Sequence, residues 1–409
     1  MAKHILVVAQ VFYPEQYRVN DLVAEWTERG YKVSVLTGIP NYPEGKFYKG
    51  YGFFKRRHEY YKGAEIYRIP IIPRGRNFFT LSLNYLSFAI SGIIWSLFAR
   101  LRADIVFVYA GSPITQALPG IVYAKRRKIP CFLYVLDLWP ENVVAVTGVK
   151  NRVFVGVIKK LVSYVYKNCT KIFVPSKAFI ESILENGGTK EKLVYWPQYA
   201  EDFYRPLSEC SYGSYIPQNR FNIVYAGNIG YAQGLDILVE AAKNLKRIGA
   251  PVRFNMVGDG SYREELIRKI QEEQVEDFFN FLGKQPAEKV PEMIACCDAT
   301  LLVLRDNPVY EKYIPAKLQT YLACGKPVIV SANGEATNIV RDAQAGVVCP
   351  AGDVGCLTQA ILYLASTQKE TLEKMGGNAL RYSKKHFDKN KLLYLMDEYI
   401  KDAIAEVRK

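Results

Sequence analysis

Lys317 stands two residues after Pro315, at the opening of a stretch with helical spacing that closes at Gly325 and runs directly into the apolar strand 328–330. Proline at a first helical position and glycine just past the end mark the two boundaries of such a helix. Lys317 is therefore expected in the first turn, where unbonded backbone N–H groups and the helix dipole favour an anion. A cation at that end does not help the helix itself. A lysine placed there suits the capture of a phosphate, and the chain is read as organised around one.

Other loops carry groups that could share that work. Gly227, Asn228 and Gln233 lie in GNIGYAQG (227–234), between an expected strand and an expected helix. Three glycines in eight residues allow close backbone approach to a phosphate, although glycines also serve tight turns. Gly258 in GDG and Gly283 in GKQ each follow a strand, and loop 305–313 brings Arg305, Asp306 and Glu311. Loop 10–18, with Glu15 and Arg18, lacks the GxGxxG spacing of a dinucleotide site, which argues against an NAD enzyme. In DLWPE (137–141) an acidic pair flanks a tryptophan. Its alternatives are a helix cap beside a packed ring, or a polar contact to a sugar or reacting centre.

The elements that position these loops alternate along the chain. Unbroken apolar runs at 3–9, 32–37, 65–71, 104–110, 131–137 and 171–175 are separated by stretches of helical period. Runs of that kind are buried on both faces, as in a parallel, doubly wound sheet. The alternation stops over 201–220, a linker by its Pro, Gly and Ser content, and restarts with strands at 221–226, 252–257, 278–282, 300–304, 327–331 and 346–349. The expected class is α/β: two Rossmann-like doubly wound parallel-sheet domains, 1–200 and 221–385, facing each other across a cleft at their strands' carboxyl ends. A C-terminal helix, 386–409, is expected to pack back on the first domain.

Composition narrows the classes further. The chain has 409 residues, enough for two cores. Eight cysteines show no CxxC spacing, and no signal peptide precedes Lys3, so reduced thiols in a cytoplasmic protein are expected. Three dispersed histidines leave little material for a zinc site or a His-based triad. Residues 1–200 hold 28 Lys and Arg against 13 Asp and Glu, an excess of 15; the remainder holds 26 against 27. The positive charge is thus confined to the first half, and with it the expected anionic partner.

Several dispersed motifs, taken in order, resemble the retaining, nucleotide-sugar-dependent glycosyltransferases of the two-Rossmann GT-B type, family four. They are DLWPE (137–141), VPS (174–176), VYAGNIGYAQG (224–234), VGDG (257–260), FLG (281–283), PAKLQTYLACGKPVIV (315–330) and AGVVCPAGD (345–353). The wording of 137–141 and 317–328 looks most like the bacterial amino-sugar (fucosamine-type) transferases that build surface polysaccharides such as capsule or O-antigen. The resemblance implies retention, a UDP-linked N-acetylated amino sugar as donor, a polyprenyl-diphosphate-linked saccharide as acceptor, and no cofactor or metal. Departures stand out. The family has an Arg and a Lys around the glycine-rich loop where this chain has Asn228 and Gln233. Aligned on Gly325 and Pro327, its two glutamates fall on Tyr313 and Thr320. Lys317 is then the best-placed cation for the diphosphate and Arg305 a second. Thr320 could bond a ribose hydroxyl, and Glu335 the sugar. Glu311 is either a displaced carboxylate or a surface-loop charge. Asp137 is the candidate acceptor-side base. Rival readings are a nucleotide-sugar epimerase of the same two-domain shape and a non-catalytic sugar-nucleotide-binding partner.

Residues 77–99 carry no charge, with Arg74 and Arg76 before them and Arg100 and Arg102 after. The length would span a bilayer. Yet the segment lies between two strands of one sheet and carries recurring serines, so a buried or interfacial helix is expected. Just upstream, KFYKGYGFFKRR (46–57) interleaves cations, Arg56 and Arg57 among them, with aromatics. That pattern suits an anionic membrane surface. Glu15, Arg18, Arg56 and Arg57 are the candidate acceptor and membrane residues, on a protein held peripherally at the inner face of the cell membrane. No nucleic-acid module is recognisable.

Overall fold

A computed structural model describes residues 2–42, 44–75, 77–148 and 151–408. Arg76, noted above as flanking the uncharged segment, lies outside them. The chain forms two compact units, 1–196 with 393–409, and 197–392.

The first unit is built on eight strands: β1 (His4–Val8), β2 (Lys32–Gly38), β3 (His58–Tyr61), β4 (Ala64–Ile69), β5 (Ile105–Ala110), β6 (Cys131–Val135), β7 (Lys171–Val174) and β8 (Leu193–Tyr195). Their order is β3-β4-β2-β1-β5-β6-β7-β8. Every pairing is parallel except the edge hairpin of β3 with β4. The run HILVV of β1 is buried along its whole length because helices cover both faces of the sheet. Strand order reverses between β1 and β5, so loop 10–18 opens at a switch point. The uncharged segment forms one long helix, Phe78–Phe98, whose first turn is capped by Asn77 accepting from the Thr80 N–H at 2.8 Å. The last stretch of helix Lys389–Arg408 belongs to this unit. Asp397 pairs with Arg29 at 3.0 Å and Tyr399 packs edge-on against Phe173.

The second unit holds β9 (Phe221–Ala226), β10 (Val252–Val257), β11 (Phe279–Gly283), β12 (Ala299–Val303), β13 (Val328–Ser331) and β14 (Gly346–Cys349), all parallel, in the order β11-β10-β9-β12-β13-β14. This is the doubly wound order with its switch point between β9 and β12. The Gly227 loop and the Arg305 loop leave those two strands.

Two expectations change here. Residues 201–220 are not a free linker but part of the second unit. Ile216 is fully buried in its core, Ser211 donates to Glu292 at 2.9 Å, and Asn222 donates to the Pro217 carbonyl at 2.9 Å. Anchoring by single side chains leaves no period to read. Nor are all the thiols reduced: Cys210 and Cys296 form a disulfide, 86 residues apart in sequence. A spacing search sees only local pairs.

Candidate active site

The candidate donor groups gather where β9, β10, β11 and β12 end. The Gly227 N–H donates to Val257 O at 2.9 Å, and the Gly258 N–H donates to Gly283 O at 2.8 Å. Three strand-end loops are thereby laced together through their glycines. A Cβ on Gly258 would lie 1.9 Å from the Gly227 carbonyl oxygen, and its φ of +138° is one that side chains avoid. Gly258 thus serves close packing of one loop on another.

Helix Ala316–Ala323 is docked against the end of β9 by two side chains. The Tyr321 hydroxyl accepts from the Ala226 N–H at 2.8 Å. Lys317 Nζ donates to the Tyr225 hydroxyl at 2.7 Å and lies 3.9 Å from the centre of that ring. The Tyr225 hydroxyl donates in turn to Asn228 O at 2.6 Å. The ammonium sits so close to the turn that a Cβ on Gly227 would be 3.1 Å from it. Part of the Lys317 side chain reaches the surface, but its ammonium end is closely surrounded by protein. This desolvation pulls its pKa from 10.5 down to about 7. No carboxylate among the described residues offsets it.

The remaining candidates are spread over other tasks. Arg305 pairs with Asp236 at 2.7 Å, donates from Nε to Tyr231 O at 2.6 Å and stacks on the Tyr231 ring at 3.7 Å. Asp236 also binds Lys269 at 2.6 Å, and these cations hold its carboxyl below its usual range despite burial, the largest influence, which pushes the other way. Arg305 therefore braces the glycine loop rather than standing free for a diphosphate. Gln233 likewise closes the loop on itself, its Oε1 accepting from the Gly230 N–H at 3.1 Å. The Asn228 side chain lies against Gly260, where a Cβ would come within 2.6 Å of its Oδ1. Thr320 is buried and donates to Ala316 O at 3.3 Å, within its own helix. Glu311 ends the short helix Pro308–Glu311, and its carbonyl packs against Gly334, the residue before Glu335 in the first turn of helix Glu335–Ala343.

In the first unit, Asp137 follows β6 and is half-buried. Its charge adds to burial in raising the Tyr85 phenol pKa. Trp139 Nε1 donates to Ser112 Oγ at 3.1 Å, and Glu141 accepts from Asn186 at 3.2 Å. Glu15 is not a surface group. It is buried and accepts from the Asn41 and Tyr42 N–H groups at 2.8 and 2.6 Å, with desolvation raising its pKa. Arg57 is spent on backbone carbonyls, those of Phe53 at 2.9 Å and Arg68 at 2.5 Å. Arg56 is exposed, with its guanidinium 5.3 Å from the Tyr51 ring centre, and Arg18 begins helix Arg18–Glu28. The residue that the sequence left unnoticed is Tyr225, which reads simply as one more apolar strand position.

Two doubly wound units, the second with a lysine and a glycine turn at its switch point, are the architecture of the GT-B fold. Residues 16–198 match the family described as "Glycosyl transferase 4-like domain", and residues 213–382 match "Glycosyl transferases group 1". The chain belongs to these glycosyl transferases. The protein assigned to colanic acid biosynthesis as glycosyl transferase WcaI in Escherichia coli (strain K12) is 23% identical over 80% of this chain and 83% of its own length. Among solved structures, sucrose-phosphate synthase from Thermosynechococcus elongatus superposes with a TM-score of 0.74 at 17% identity, covering 99% of this chain and 100% of its own. Anabaena HepE in complex with UDP and glucose superposes at 0.73 and 15% identity, covering 98% and 100%.

Proposed function

We propose that the protein is a retaining glycosyltransferase that moves an N-acetylated amino sugar from UDP to a polyprenyl-diphosphate-linked saccharide, in the synthesis of a bacterial surface polysaccharide. The observation that carries this reading is Lys317: a desolvated cation without a carboxylate partner, held by Tyr225 against the Gly227 turn. Cleaving the sugar–phosphate bond loads negative charge on the departing diphosphate. A preorganised donor aimed at that charge supplies about 3–4 kcal/mol of transition-state stabilisation. The UDP and glucose held by HepE, and the colanic acid assignment of WcaI, support the donor and pathway class.

In this reading Lys317 binds and stabilises the diphosphate, Glu335 reaches the sugar, and Asp137 takes the acceptor proton. The acceptor hydroxyl attacks from the leaving-group face, so no protein nucleophile is required. The transfer runs without a metal, and activity should survive chelator. The first unit, with its excess of positive charge, meets the acceptor at the anionic inner face of the cell membrane.

A thermal-shift series with nucleoside diphosphates and their sugars tests the donor. At 100 times its Kd a ligand adds about 2.7 kcal/mol of stability. UDP compounds should stabilise the wild type and not Lys317→Ala. Stabilisation of the folded variant equal to wild type would remove the diphosphate from Lys317. Turnover of nucleotide sugar without acceptor, beyond slow hydrolysis, would point to an epimerase instead.

A further inference from the structure

Helix Phe78–Phe98 has two faces of different fate. Phe88 and Ala89 are buried, and Gly92 lies so close to Pro119 that a Cβ would meet its ring at 2.4 Å. Ser96 Oγ donates to Pro119 O at 2.9 Å, and Asn84 accepts from Gln10 at 2.7 Å. These contacts fasten one side of the helix to the rest of its unit. On the other side Phe79, Leu86, Ile90, Ile94, Leu97 and Phe98 stand 48–78% exposed. Their spacing of three, four and seven forms one stripe along the helix. Only 28% of the apolar window is buried, far too little for a core helix.

The sequence around the stripe carries an excess of positive charge. From 66 to 136 the sequence holds nine Lys and Arg, of which Arg68 is buried and paired with Glu59, against one acidic residue, Asp104, and Asp137 follows directly. At the C-terminal end, Arg126 and Arg127 donate to the Ala99 carbonyl at 2.9 and 2.8 Å, and Arg100, Lys125 and Lys128 are exposed beside them. At the N-terminal end, the Arg74 N–H donates to Asn41 Oδ1 at 2.7 Å, tying in the segment that leads to the basic and aromatic stretch 46–57. Phe54 in that stretch is almost wholly exposed.

We propose that the outward stripe of helix Phe78–Phe98 enters an anionic bilayer surface, lying in its plane between cationic ends. The inference rests on the membrane partner proposed above and names the element that engages it. An apolar face flanked by an excess of cations matches a layer of acyl chains under anionic headgroups. A crossing helix is ruled out by the contacts of Asn84, Gly92 and Ser96, which a span would break.

The test is flotation of the full chain with vesicles of equal parts phosphatidylglycerol and phosphatidylcholine, at low salt, without donor or acceptor. Wild type should float, and Ile90→Glu with Ile94→Glu should weaken partition by about tenfold or more. Leu97→Glu should act in the same direction, while circular dichroism and UDP binding stay at wild-type values. Undiminished flotation of both variants would overturn insertion of the stripe and leave a purely electrostatic docking. A wild type that ignores the vesicles would overturn the membrane partner as well. A wild-type dimer that these substitutions split would assign the stripe to a second copy of the chain. None of these outcomes touches sugar transfer.

Discussion

The ammonium of Lys317 donates to the hydroxyl of Tyr225 at 2.7 Å, and that hydroxyl spends its own proton on the Asn228 carbonyl at 2.6 Å. One phenol therefore ties the cation of helix Ala316–Ala323 to the glycine turn after β9. Tyr225→Phe keeps the ring but removes both bonds. We expect a donor KM several-fold higher with a smaller loss in kcat, about 1 kcal/mol in kcat/KM. Steady-state kinetics on Tyr225→Phe decide it. Unchanged KM would mean that Lys317 holds its place without the phenol.

Lys317 also sets a pH dependence. Its pKa of about 7 in the free protein is the product of desolvation without a partner. An anion beside it favours the charged form and raises that value. Above pH 7 donor binding must then take up a proton, and affinity should fall with rising pH, by at most tenfold per unit. Calorimetry at pH 8 in two buffers of different ionisation enthalpy reads the uptake directly. Lys317→Met should abolish it, and equal heats in both buffers for wild type would contradict the assignment.

The same group bears on stability. Between about pH 7 and 10.5 the unfolded chain holds the Lys317 proton and the folded chain does not. Stability from this group therefore rises with pH across that window and is flat below it. At pH 6 the folded protein carries the uncompensated charge, so Lys317→Met should be more stable than wild type. After allowance for the exposed part of the side chain, about 1 kcal/mol is expected. A urea midpoint that falls in the variant would show that the charge is already satisfied.

How much of this was legible in the sequence follows from the range of each interaction. Six of the eight strands of the first sheet, all six of the second and the lysine at the helix start are written in local period and in the Pro315–Gly325 punctuation. The short, partly exposed edge strands β3 and β8 have no apolar run long enough to read. Alternation implies a parallel sheet with its loops at the strands' carboxyl ends, but the strand order that marks the switch point comes from the structure. Tyr225 was illegible because a buried phenol and a buried phenylalanine give the same strand pattern. Arg305 looked free because Asp236 lies 69 positions away in sequence. Glu15 looked like a surface acid because its partners are backbone N–H groups of a different loop. Helix Phe78–Phe98 is legible as a helix between two strands, but which of its faces is bare depends on contacts with residues such as Gln10 and Pro119 that are distant in sequence.

Arg305 and Asp236 offer a test of bracing against direct contact. Their side chains are about one-third exposed and paired at 2.7 Å, and Arg305 Nε also holds Tyr231 O. If the arginine acts through the loop, Arg305→Ala and Asp236→Asn should each raise donor KM. Their double mutant should then cost less than the sum, with a coupling of about 0.5–1 kcal/mol. A direct phosphate contact predicts instead that Asp236→Asn leaves KM unchanged or lowers it, by releasing the arginine.

Gly258 makes the sharpest structural prediction. A methyl group there would sit 1.9 Å from the Gly227 carbonyl oxygen, on a backbone at φ +138°. Neither obstacle can yield to a rotamer change, since one is main chain and the other is the residue's own dihedral. Gly258→Ala should cost about 2 kcal/mol or more in folding of the second unit. The displaced Gly227 turn would carry Lys317 out of register, so whatever folds should bind UDP weakly. Gly249→Ala is the control: its φ of +64° is also positive, but a Cβ there meets nothing within 4 Å. It should cost only the backbone term, about 1 kcal/mol, and leave UDP affinity untouched. Equal losses from the two substitutions would mean that backbone conformation, and not the contact between the two loops, is what position 258 supplies.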